Sequence, residues 1–130
     1  MMFLCIDLNG KTASNILPPS CVKMSALVHY VVVRKDLPLG DQLAQSVHAA
    51  GESSDPKPEP GTTAVVLHAL DEQHLLIIRD RLIRSGLKHH CVTECPDDED
   101  YPSQLMSIGL APTTDRAAVR KVLSSLPLAK

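Results

Sequence analysis

Asp41, Gln45 and His48 are spaced so that a carboxylate, an amide and an imidazole can share one side of a helix. At about 100° per residue they fall together with Ala44 on one face, opposite a stripe of Leu43, Val47 and Ala50. An imidazole exchanges protons near neutral pH, a carboxylate accepts them, and an amide both donates and accepts. The alanines keep that face approachable. Such a row also serves as a plain solvated face, and periodicity alone does not choose between the two.

What must position these groups is legible just upstream. Leu27 to Val33 is a β-rich run that ends abruptly in Arg34, Lys35 and Asp36. Pro38 and Gly40 break the strand, and Asp41 stands where a helix N-cap is expected. Good helix formers follow from Gln42 to Gly51, a natural C′ stop. The expectation is strand, polar turn and short helix, with Leu43, Val47 and Ala50 against the core. In open α/β sheets ligands bind beyond the carboxyl ends of strands, where such turns gather.

The wording of this stretch is specific. Leu27-Val28-His29-Tyr30-Val31-Val32-Val33-Arg34-Lys35-Asp36-Leu37, followed by Ala44-Gln45-Ser46-Val47-His48-Ala49-Ala50, resembles the opening signature of the type II peptidyl-tRNA hydrolase family. Members there show a hydrophobic strand, Arg-x-Asp-Leu, and a helix reading Ala-Gln-x-x-His-Ala-Ala. The resemblance runs from about Leu27 to Leu128. It implies hydrolysis of the ester joining a peptide or N-blocked amino acid to the tRNA 3′ end, with tRNA as partner and substrate. Such a reaction needs an attacking water, a base to orient it and a donor for the developing oxyanion. By matched position, Glu94 or Asp36 would orient water, His48 would donate or shuttle a proton, and Lys35 would stabilise charge. Gln45 would fix the substrate carbonyl. Asp41, Gln104, Arg34, Arg79, Arg84 and Lys88 complete the candidate substrate contacts. The resemblance needs no metal or other cofactor, and it allows a homodimer, since family members often pair.

The departures are equally specific. Family members carry a lysine just before the Ala-Gln helix; here the turn is two residues shorter and Asp41 takes that place. Glu94 stands where the family usually has Asp, one methylene longer. The usual Gly-x-Thr is replaced by Pro96-Asp97-Asp98-Glu99-Asp100-Tyr101-Pro102. A divergent member is the expectation, either a hydrolase rebuilt around Lys35, His48 and Glu94 or a non-catalytic relative binding RNA or protein.

Downstream, Pro56, Pro58 and Pro60 alternate within Glu52 to Gly61 and force an extended loop. Thr62 to Leu70 reads as a buried strand, with His68 as a structural histidine. Asp71 caps a helix reaching about Ser85, stopped by Gly86, with Leu75, Ile78 and Leu82 as its apolar stripe and Arg79, Arg81, Arg84 and Lys88 outside. His89 to Cys95 reads as a strand. Alternation puts His89, Cys91, Thr93 and Cys95 on one side and His90, Val92 and Glu94 on the other. A flat strand cannot wrap those imidazoles and thiols round one tetrahedral ion, so no metal site is expected. Leu105 to Ala111 forms the last strand. Thr113-Thr114-Asp115 caps a helix through about Leu126, with Ala118, Val119, Val122 and Leu123 inward. The element order is β-α-β-α-β-β-α. It implies a three-layer α/β/α sandwich with a four-stranded, largely parallel mixed sheet whose last two strands are antiparallel neighbours.

Composition bounds the rest. The 130 residues fit one domain, 44% hydrophobic but only 2% aromatic, so the core must be aliphatic. A chain without Trp and with one Phe and two Tyr lacks a stacking platform for unpaired bases. A net charge of −2 offers no global attraction to phosphate, so tRNA contacts must rest on a local basic patch. No apolar run reaches membrane-spanning length. Cys5, Cys21, Cys91 and Cys95 read as reduced thiols of a cytosol-like compartment, because Asp7 and Asn9 interrupt the only N-terminal apolar run. Residues 1–23 read as an extension outside the fold, with the domain spanning residues 24–130.

Overall fold

The computed structural model describes residues 26–95 and 102–130. The leader expected outside the fold and the acidic run from Pro96 to Tyr101 lie outside the described residues. Among the described residues seven elements follow in the expected order: β1 (Val28–Arg34), α1 (Leu39–Glu52), β2 (Thr63–Ala69), α2 (Glu72–Arg84), β3 (His89–Glu94), β4 (Gln104–Leu110) and α3 (Arg116–Leu123).

The four strands form one mixed sheet in the order β2-β1-β4-β3. β1 and β2 pair in parallel from Val28↔Thr63 to Arg34↔Ala69. β4 lies between β1 and β3 and is antiparallel to both. The sheet is mixed, as expected, with the last two strands antiparallel neighbours. Three strands point the same way, but the intervening β4 leaves a single parallel ladder. Residues of the C-terminal tail close the outer edge of β2: Ala129 N–H donates to Val66 O and His68 N–H to Pro127 O, both at 2.9 Å. Covering an edge strand in this way removes a template for pairing with other chains.

Helices cover both faces. On one, Val32, Leu67 and Ile108 of the sheet pack with Leu75, Ile78 and Leu82 of α2 and with Val119, Val122 and Leu123 of α3. On the other, Val31 and Val92 meet Ala49 of α1, with Ala50 and Val66 alongside. The α2 and α3 stripes are those expected from their 3.6-residue period. Asp71 caps α2 by accepting from His74 N–H, and Asp115 caps α3 through Ala118 N–H. Gly86, at φ +67°, ends the α2 segment as expected. α3 stops at Leu123, earlier than expected, and Leu126 is buried from the turn beyond it.

α1 departs most from expectation. It starts at Leu39 after Pro38, which has no side-chain capping bond, so Asp41 lies within the first turn and is not the N-cap. There its charge faces the positive end of the helix dipole. The helix also runs through Gly51 to a C-cap at Ser53. Its buried face is rotated away from the expected one, although Asp41, Ala44 and His48 stay exposed. Leu43 and Val47 are 61% and 72% exposed and Ala50 is half-buried, whereas Gln45 and Ala49 are buried.

The physical reason is close approach. A Cβ on Gly109 of β4 would overlap Ala49 O and Ser53 Oγ and lie 2.8 Å from Ser53 Cβ. No leucine or valine fits under a helix this near the sheet. The underside is instead Gln42, Gln45, Ala49 and Ser53, three of them joined to strands by hydrogen bonds. His68 Nε2 lies 2.7 Å from Gln42 Oε1, and His29 Nε2 lies 2.8 Å from Ser53 Oγ. Ser107 Oγ donates to the Gln45 carbonyl at 3.0 Å. These bonds put the start of α1 at the carboxyl end of β1 and its end near the beginning of β1.

Candidate functional site

The carboxyl ends of β1 and β3, the start of β4 and the first half of α1 meet at one end of the sheet. Two assemblies of side chains form there, one on each face.

Arg34 organises the first. Its position as the last residue of β1 turns it onto the α2 face, where it is only 8% exposed. Nε donates to Asp36 Oδ1 at 2.9 Å and Nη2 to Asp36 Oδ2 at 2.8 Å, a bidentate pair. Nη1 reaches Gln104 Oε1 at 3.2 Å and Leu105 O at 3.3 Å, and lies 4.0 Å from Glu72 Oε2. The guanidinium holds the Asp36 carboxyl below its ordinary value by direct hydrogen bonding and by charge. In return Asp36 raises Arg34 further. Arg34, Asp36 and Gln104, chosen from sequence for catalysis or substrate contact, are thus consumed in one another. Asp36 is held in a bidentate pair that lowers its pKa, which makes it a poor acceptor for a proton from water, while the Arg34 cation is paired within the protein.

The second assembly lies under α1. Gln45 and Glu94, 49 residues apart in sequence, meet at 2.6 Å, with Nε2 donating to Oε1. Gln45 is 3% exposed and Glu94 is open to solvent. Alternation along β3 accounts for the meeting: Glu94 shares the α1 side with Val92, in the core, and with His90, whose Nε2 lies 2.8 Å from Glu52 Oε2. Gln45 is itself fixed from beneath by Ser107. Its Oε1 is buried without a hydrogen-bond partner among the described residues. The amide therefore grips the carboxylate, where sequence reasoning had assigned it to the substrate.

The remaining candidates make no hydrogen bond to that pair among the described residues. His48 is exposed on α1, about 60° round the helix from Gln45 and on the side of β3. Lys35 is exposed in the turn after β1; its carbonyl accepts from Gln42 Nε2 at 3.2 Å, which ties the turn to α1. Asp41 is exposed in the first turn of α1. Arg79, Arg84 and Lys88 lie elsewhere. Arg79 is half-buried, with Nη2 3.7 Å from Asp80. Arg84 is exposed at the end of α2, and Lys88 pairs with Asp55 at 2.8 Å near the opposite end of the sheet.

Ser107 and Gly109 carry no role in the sequence reading. The physical signal they offer is smallness on an otherwise apolar strand, which marks a close approach. Surface hollows of about 210 and 140 Å³ lie at the far end of the sheet, around Lys88 and Ala111 and away from Glu94. No group of three or more metal-ligating side chains converges among the described residues. No helix among them is long and apolar enough to cross a membrane.

Fold and site together define a three-layer α/β/α domain with a carboxylate, held by a buried amide, beside the carboxyl ends of its strands. No family model and no curated protein matches the chain. Among solved structures it is similar to a protein of unknown function from Agrobacterium tumefaciens strain C58, with a TM-score of 0.64 and 14% identity, covering 82% of this chain and 100% of that one. At that identity the likeness is one of fold.

Proposed function

We propose that this chain is a peptidyl-tRNA hydrolase with a modified active site, cleaving the ester between a peptide or N-blocked amino acid and the tRNA 3′ end in the cytoplasm. The observation that carries the reading is the 2.6 Å contact between Gln45 and Glu94. Two positions drawn from the family resemblance, one on a helix and one on a distant strand, join into a unit with a catalytic purpose. Glu94 Oε1 is pinned by the amide, and Oε2 has no hydrogen-bond partner among the described residues, so the carboxylate presents a fixed acceptor to solvent.

In this mechanism Glu94 orients a water and takes its proton as the oxygen attacks the ester carbonyl carbon. Lys35 supplies positive charge to the oxyanion. The carbon–oxygen bond to the ribose breaks, and His48 delivers a proton to the departing ribose oxygen. Neither Asp36 nor Arg34 has a step. A Glu94→Gln variant tests the proposal on purified N-acetylaminoacyl-tRNA. Loss of cleavage by at least a hundredfold with the fold intact supports it, and undiminished cleavage removes Glu94 from the reaction.

A second reading, a non-catalytic module that binds RNA or protein, draws on Leu39, Leu43 and Val47. They stand 67%, 61% and 72% exposed along α1, and such a stripe on one helix suits a partner surface. Absence of cleavage by the wild-type chain would favour it.

A further inference from the structure

The charged residues of this chain are sorted by layer. In α2, α3 and their caps there are six cations against four carboxylates, although the whole chain carries a net charge of −2. All four of those carboxylates are engaged. Asp71 and Asp115 cap their helices, Asp80 lies beside Arg79, and Glu72 accepts from Leu105 N–H near Arg34. Five of the cations are not. Arg81, Arg84, Arg116, Arg120 and Lys121 are exposed and have no ion pair among the described residues.

The fold brings the five into one layer. α2 and α3 bury their apolar sides in the same cluster. Ala111 N–H donates to Lys88 O at 3.0 Å, which sets the exit of α2 beside the approach to α3. Arg81 and Arg84 are thereby at the same end of the layer as Arg116. Helix dipoles explain cations in a last turn, which covers Arg81, Arg84, Arg120 and Lys121. They do not explain Arg116, at the first position of α3, where the dipole opposes a cation.

We infer that the exposed α2/α3 face docks the phosphodiester backbone of an RNA duplex, with Arg81, Arg84, Arg116, Arg120 and Lys121 as its phosphate contacts. The choice of RNA rests on the proposed hydrolase reading; the choice of duplex rests on composition. Guanidinium forks suit phosphate oxygens, whereas the near absence of aromatic rings denies stacking to unpaired bases. The face also replaces the phosphate contacts expected at Arg34 and Lys88, whose charges are paired within the protein.

The test is fluorescence anisotropy of the full chain with deacylated tRNA and an acceptor-stem minihelix across a salt series. Substituting Gln at Arg81, Arg84, Arg116 and Lys121 together is expected to weaken both complexes at least tenfold. It should lower the slope of log K against log salt by roughly 3, since each lost phosphate contact removes about 0.7–0.9. Lys at the three arginines should retain the slope, which separates charge from misfolding, and Lys57→Gln, in the loop between α1 and β2, should leave binding unchanged. An unaltered slope in the Gln variant, no RNA binding by the wild type, or binding only to anionic phosphatidylserine vesicles would overturn the inference. Cleavage of N-acetylaminoacyl-adenosine, which has no duplex, reads the Glu94 site alone. Its failure would sink the hydrolase reading while leaving the docking result standing.

Discussion

Gln45 donates to Glu94 across 2.6 Å while its own Oε1 is buried with no hydrogen-bond partner among the described residues. The pair is therefore good for orientation and poor for stability. An unsatisfied buried acceptor costs about 1–3 kcal/mol, and one hydrogen bond to an exposed carboxylate returns about the same. Gln45→Met removes both terms. Its unfolding free energy should stay within about 1 kcal/mol of wild type, while ester cleavage falls about 10–100-fold as Glu94 loses its fixed direction. Urea midpoints beside turnover check this; equal loss of both would mean that the amide is merely structural.

Arg34 behaves oppositely. Removing it strands the Asp36 carboxylate, Gln104 Oε1 and Leu105 O at once. Arg34→Met should cost about 2–4 kcal/mol, less than a fully buried pair because Asp36 is partly exposed. The pH dependence has a defined sign. Arg34 depresses the folded-state value of Asp36 below its ordinary 3.8, so this stabilisation is present above that pH and is lost as pH falls through the lower folded value. Denaturant unfolding between pH 5 and pH 2.5 should show this acid loss in the wild type and a smaller one in Arg34→Met.

His29 gives a separate window. Burial lowers its pKa from 6.5, so the unfolded chain takes up a proton first as pH falls. Stability from this residue is full above about 6.5 and declines below it as pH moves toward the folded value. The ring lies 2.8 Å from Ser53 Oγ, and protonating it places a charge under α1. His29→Asn should flatten stability between pH 7.5 and pH 5 while leaving the Asp36 transition in place. A wild-type urea midpoint that does not move over that range would refute the assignment.

Much of the fold was legible because its signals are local. Asp71 and Asp115 cap where expected, Gly86 stops where expected, and Leu75, Ile78 and Leu82 keep a clean helical period. Strand alternation alone puts Glu94 on the side of His90 and Val92, and the structure lays α1 on that side. What was not legible depends on distance between layers. Leu43 and Val47 carry an ordinary core signal, and nothing within α1 shows that Gly109, some sixty residues away, lets the helix down too close to admit them. The internal saturation of Arg34 is hidden for the same reason, since Gln104 and Leu105 arrive only through the β1–β4 pairing.

That separation yields a paired prediction. Gly109→Ala places a methyl against the Ala49 carbonyl and Ser53, both held in place by the Ser53 hydrogen bonds to His29 and Ala49 O. Neither neighbour is the free end of a long side chain, so α1 itself must lift. The expected cost is about 2–3 kcal/mol, at the upper part of the range for overpacking. Lifting α1 also stretches the Gln45–Glu94 contact, so cleavage should fall in a protein whose site residues are all intact. Leu43→Gln with Val47→Gln, conventionally the more severe change, should shift unfolding by no more than about 0.5 kcal/mol per site, because both side chains already face solvent. Urea denaturation of the two variants side by side decides it. If the double glutamine variant unfolds first, α1 is packed through its leucine face and the rotated helix is wrong.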